Sequence, residues 1–203
     1  MNKNLKKVLM SIVILTVSQS LYAETAQESI FSRSQKFDHE GVELYDSNFE
    51  LKSYKKIGFG VSTGGLAGTL GINLEVNVSK PDAIGAGIGM GKAFNSFNLH
   101  WKRNYESAYL SPYTKVGYTN WFNNANSGRL ADDSDILKRI LSTEEIKQNK
   151  FSSHFIAAGA GLEYNQLEGE LSGLNFYGEL LLLSELKTSI YLPTAGLGLT
   201  YFY

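Results

Sequence analysis

Cysteine is absent from this chain of 203 residues, which excludes a disulfide framework and a lipid-anchoring cysteine behind a leader. An excess of basic residues is also missing: 19 Lys and Arg stand against 20 Asp and Glu, so the charge pattern points to no nucleic-acid partner. Long apolar runs are missing too. The longest, Val8 to Val17, follows Lys3, Lys6 and Lys7 and gives way to small Ala23 before polar Glu24. At about ten residues it falls short of the roughly 18 to 20 that a membrane-spanning helix requires. It has the form of a secretory signal peptide, residues 1–23, cleaved on export. Its removal takes three lysines and no acid, leaving 16 Lys and Arg against 20 Asp and Glu and a formal charge of −4. No later segment reaches helical spanning length, so a mature chain that enters a membrane must do so as a closed barrel, the other architecture that satisfies every backbone polar group.

What is present suits a barrel. Only three prolines occur beside 20 glycines, 12 tyrosines and 11 phenylalanines, a β-rich and turn-rich composition for one domain. Residues 24–54 are largely polar, without sustained periodicity to about residue 48, and read as a periplasmic N-terminal extension. From there the apolar period is two. Leu70, Ile72, Leu74, Val76 and Val78 alternate with Gly71, Asn73, Glu75 and Asn77; after a Lys80-Pro81-Asp82 turn, Ile84, Ala86, Ile88 and Met90 alternate with four glycines. Phe97, Leu99 and Trp101 face away from Asn98, His100 and Lys102. Further segments at about 55–64, 109–119, 153–164, 173–183 and 191–203 bring the count to about eight.

The fold class expected is therefore all-β: an antiparallel up-and-down transmembrane barrel over residues 55–203, with one long external loop, 120–152. A soluble lipocalin-like periplasmic carrier also alternates. The less apolar face separates the two readings, since bare glycines on the third and last segments suit a crowded interior better than contact with water.

The final strand, Leu197-Gly198-Leu199-Thr200-Tyr201-Phe202-Tyr203, resembles the C-terminal strand of Gram-negative outer-membrane β-barrel proteins, and the plan of residues 55–203 resembles the OmpA and OmpX membrane domains. The resemblance implies an outer-membrane location, contact with its lipid, and Leu199, Tyr201 and Tyr203 as the signal read by the barrel-assembly machinery. The chain ends in Tyr where that family most often has Phe.

Chemistry-bearing residues are few. Gly85 to Lys92 (GAGIGMGK) fails as a phosphate loop, because Ala86 stands where the first glycine belongs and Ala93 where Ser or Thr would bind magnesium. Glu75, His100, Lys102, Lys115, Glu163 and Glu179 share the parity of the interior glycines and are expected to form a polar network. Lys115, Glu163 and Glu179, on adjacent strands, make a linked pair or triad. Ser152 and His154 could form an acyl-transfer pair if an acid completed it, whereas three scattered histidines do not make a metal site. No catalytic, cofactor or metal residue is assigned. In the long loop, Ile136, Leu137, Ile140 and Leu141 recur at helical spacing after Asp132, Asp133 and Ser134, and Ser142 to Glu145 reads as a capping box. Trp101, Tyr113, Tyr118, Trp121, Phe122 and Tyr201 are expected at the membrane interfaces. The functional expectation is a monomeric barrel with a structural or surface-interaction role, holding any surface ligand through loop 120–152. A narrow pore, a lipid-modifying enzyme and the soluble carrier stay open as alternatives.

Overall fold

The computed structural model describes residues 36–123, 131 and 134–203; the signal segment and loop residues Asp132 and Asp133 lie outside the described residues. Eight strands form one closed antiparallel barrel in sequence order, the eighth pairing with the first. They are β1 (Ile57–Gly64), β2 (Gly68–Asn77), β3 (Asp82–Met90), β4 (Asn95–Asn104), β5 (Leu110–Asn123), β6 (Phe151–Asn165), β7 (Leu174–Glu185) and β8 (Tyr191–Phe202). This is the architecture that period-two alternation predicts, and closure leaves no strand edge unpaired.

Alternation sorts the side chains. Phe59, Val61, Leu70, Ile72, Ile84, Ile88, Leu180 and Leu197 are exposed on the outer wall, while their strand neighbours point inward. The inward glycines make room for large partners: a Cβ at Gly85 would lie 2.3 Å from the His100 ring. The β1–β2 turn needs glycine for a second reason, because Gly64, Gly65 and Gly68 all hold positive φ.

Two strands run further than the sequence pattern indicates. β5 continues to Asn123 and β6 begins at Phe151, so the long connection is residues 124–150 rather than 120–152. Tyr113 and Trp121 are also corrected: they are 1% and 5% exposed and point into the barrel. Both share the parity of Lys115, and on a strand parity decides which side of the sheet a residue occupies. Tyr118, Phe122, Trp101 and Tyr201 do lie on the outer wall, partly or well exposed.

Both ends of the lumen are filled. At the end where β1 begins and β8 finishes, the terminal end, a short helix α1 (Asn48–Tyr54) packs Leu51 with Tyr45 and Leu167. Its N-cap is Ser47, whose hydroxyl accepts from the Glu50 N–H. This helix has no counterpart in the sequence expectation, since seven residues make about two turns, too short for a 3.6 period to register. At the far end, α2 (Asp135–Ile140) and α3 (Thr143–Gln148) fold over the mouth. Ser142 and Glu145 form the expected capping box. Leu137, Ile140 and Leu141 pack with Leu66, Phe94, Trp121, Phe155 and Leu183 in one buried apolar cluster.

Candidate functional site

The barrel's polar chemistry lies between these two plugs. Glu75, His100, Lys102, Lys115, Glu163 and Glu179 are all buried in the lumen, and a seventh residue, Lys52, reaches them from α1. The helix is aimed by its ends: the Asn48 side chain donates to the Tyr105 carbonyl at 3.0 Å and accepts from the Ser107 N–H at 3.0 Å. With Leu51 held on one side, Lys52 is driven inward and becomes 1% exposed.

The register explains how the charges divide. Lys102 on β4 and Lys115 on β5 are direct cross-strand partners, and like charges placed opposite one another repel. Each ammonium turns to a different carboxylate. Lys102 lies 2.5 Å from Glu75 and 3.1 Å from Glu163, and Glu163 also pairs with Lys52. Lys115 lies 2.5 Å from Glu179, which accepts a further hydrogen bond from the Tyr113 hydroxyl at 3.0 Å. The Tyr113 ring separates the two groups, with the Lys102 and Lys115 ammonium nitrogens 5.3 and 5.6 Å from its centroid.

The triad that adjacency suggests is thus divided: Lys115 meets Glu179, whereas Glu163 joins Lys102 and Lys52. Three lysines face three glutamates, and an even balance of this kind makes buried charge tolerable. His100 stands beside the first group, its Nε2 3.7 Å from Glu75. With Asn98 it lines a cavity of about 20 Å³, a volume that suits a single water.

A second ion pair fastens the N-terminal segment outside the strands. Lys55 lies 3.0 Å from Glu43 and donates to the Ser172 carbonyl at 2.7 Å, and Tyr45 donates to Glu43 at 2.5 Å. Burial opposes ionisation of Glu43, but hydrogen bonds from Ser172, Tyr45 and Lys55 outweigh it and hold its carboxyl below the ordinary value of 4.5. A depressed folded-state pKa contributes stability above the unfolded value and loses it as pH falls through the folded one. Acidification from pH 6 to below pH ~4 is therefore expected to lower amide protection, taken relative to the intrinsic exchange rate at each pH, in residues 36–54 before the strands respond. Hydrogen-exchange mass spectrometry checks this, and Glu43→Gln should remove the pH dependence.

The remaining candidates lie elsewhere. His154 sits on the outer wall, its Nδ1 2.6 Å from the Tyr118 hydroxyl and 3.0 Å from the Asn120 amide, with Ser152 Oγ 3.5 Å from Nε2. No carboxylate bonds this histidine among the described residues, so they supply no acid to complete a hydrolytic triad there. His39 lies far out on the surface beside Glu40, and no group of three metal-ligating side chains occurs among the described residues. Leu199 and Tyr201 face outward on β8, and Tyr203 stacks on Phe59 with ring centroids 6.0 Å apart, at the seam where β8 meets β1.

No family model matches the chain. No curated protein matches it either. Among solved structures it is similar to the N-terminal β-barrel domain of Pseudomonas aeruginosa OprF, at 14% identity and a TM-score of 0.48, over 72% of this chain and 98% of that one. It is also similar to the Yersinia pestis outer membrane protein Ail in a phospholipid bilayer nanodisc, at 12% identity and a TM-score of 0.39, over 73% of this chain and 99% of that one.

Proposed function

We propose that the chain is an outer-membrane barrel closed along its axis, serving a structural or surface-interaction role rather than conduction. The observation that carries this reading is the sealed lumen. α1 and Lys52 fill the terminal end, ion pairs cross the middle, and the apolar cluster under α2 fills the far end. An interior cavity of about 20 Å³ is also far too small for a carrier's ligand, since small-molecule pockets run to roughly 300–1,000 Å³.

The outer wall supports lipid as the surrounding medium. Ile72, Ile88, Leu180 and Leu197 are each more than half exposed, and a continuous apolar wall of this kind is costly in water. The aromatic pairs Phe59–Tyr203 and Tyr109–Tyr164, both stacked near the terminal end, suit an interfacial belt. In this reading Leu199, Tyr201 and Tyr203 serve recognition by the assembly machinery. The exposed side of α2 and α3 then faces the exterior, available to a surface partner of the monomer.

Planar bilayers containing the purified full-length protein are expected to stay silent. Stepwise conductance that changes in Glu163→Gln or Lys115→Met would overturn the closed-barrel reading in favour of a pore.

A further inference from the structure

The outer wall is not uniform. Beside β2, β3 and β4 lie two shallow apolar troughs of about 440 and 420 Å³, which share Ile72, Ile88 and Phe97 as walls. Ala86 is the small residue that hollows the lower one. Phe122, at the top of the upper trough, also lines a third depression of about 680 Å³ with Asn120, Lys150 and Ser152. Apolar troughs and polar depression thus form one path running up the barrel wall to its far end, joined at Phe122.

Two lysines stand toward the head of the path. Lys150 is exposed just before β6, and Lys92 is exposed in the β3–β4 turn, two residues beyond Met90, which lines the upper trough. Asn120 already bonds Ser152 Oγ at 2.9 Å, so amide and hydroxyl are held together on one edge of the depression. Lys150 and the Ser152 hydroxyl in the depression, with Lys92 in the β3–β4 turn next to the upper trough, stand above an apolar channel and fit one chemistry: an anionic headgroup on hydrocarbon chains.

We infer that this path is a binding site for an anionic lipid, with the phosphate between Lys92 and Lys150 and the acyl chains lying against Phe122, Phe97, Ile88 and Ile72. The inference rests on the lipid-embedded reading of the barrel. Two lysines near a headgroup correspond to at least roughly tenfold in retention.

The test is native mass spectrometry of the full-length protein released from neutral-detergent micelles, with equimolar phosphatidylglycerol and phosphatidylethanolamine, and separately with inorganic phosphate. The expected result is about tenfold preferential retention of phosphatidylglycerol, reduced to parity in Lys92→Ala/Lys150→Ala. Ile88→Trp, which fills the troughs, should lower retention of both lipids, and phosphate alone should give no adduct. Both lysines are exposed, so their removal leaves the fold intact, and a heat-dependent gel shift checks each variant.

Equal retention of the two lipids, an unchanged lysine double variant, or phosphate binding as well as the lipid overturns the site. Loss of a dimer peak in Ile88→Trp without loss of lipid assigns the face to a second copy and overturns it as well. A protein that stays soluble without detergent refutes the membrane reading itself, a separate outcome.

Discussion

Glu163→Gln is expected to destabilise the barrel by about 3–5 kcal/mol, the usual cost of removing one member of a buried ionic group. Glu163 is the carboxylate shared by Lys52 and Lys102. Without it, Lys102 retains Glu75, but Lys52 becomes a buried ammonium with no carboxylate partner among the described residues. The variant's lumen carries three lysines against two glutamates, an uncompensated charge in a space that admits little water. Lys52→Met/Glu163→Gln removes the stranded cation and restores the balance, leaving Lys102 with Glu75 and Lys115 with Glu179. The double variant should therefore be more stable than Glu163→Gln alone, a negative coupling in the double-mutant cycle. Denaturant unfolding in lipid vesicles, followed by the fluorescence of the chain's two tryptophans, reads the cycle. Additive losses would mean that Lys52 and Glu163 do not form one ionic unit.

That cycle also marks the boundary of what the sequence discloses. Which face a residue takes follows from parity alone, so Glu75, His100, Lys102, Lys115, Glu163 and Glu179 could be placed inward by alternation. Which residue it meets depends on the register between strands and on the stagger of the closed barrel, and neither is written in any single strand. Glu163 is the instructive case: it shares an interior side with Lys115 one strand away, yet closes with Lys102 two strands away and with Lys52 from outside the sheet.

Lys52 was illegible for a different reason. Its helix has too few residues to show an amphipathic period, and its inward aim depends on the Asn48 clasp to the β4–β5 connection. Trp121 and Tyr113 illustrate a conflict between two rules. Aromatic residues near strand ends suggest membrane interfaces, but both have the inward parity of Lys115, and the alternation of the pleat is geometric where the aromatic preference is only statistical.

Leu137→Ala is expected to cost about 2–5 kcal/mol, the range for deleting a fully buried leucine side chain, although it lies in a loop. Leu137 is completely buried beneath α2 and shares the apolar cluster of Trp121, Phe155 and Leu183, so its loss opens a cavity in the far-end plug. Its neighbour Ile136 supplies the control. At 49% exposed it faces away from the mouth, and Ile136→Ala should change stability by less than about 0.5 kcal/mol. A loop that projects freely from the barrel would leave both variants near the parent in denaturant unfolding. A large loss confined to Leu137 identifies the loop as a cap that completes the barrel core, with only its outer side free to meet a partner. On that account surface recognition should be altered through exposed α2 and α3 positions such as Ile136, Lys138 and Lys147, while deleting the whole loop would confound loss of binding with loss of the far-end plug.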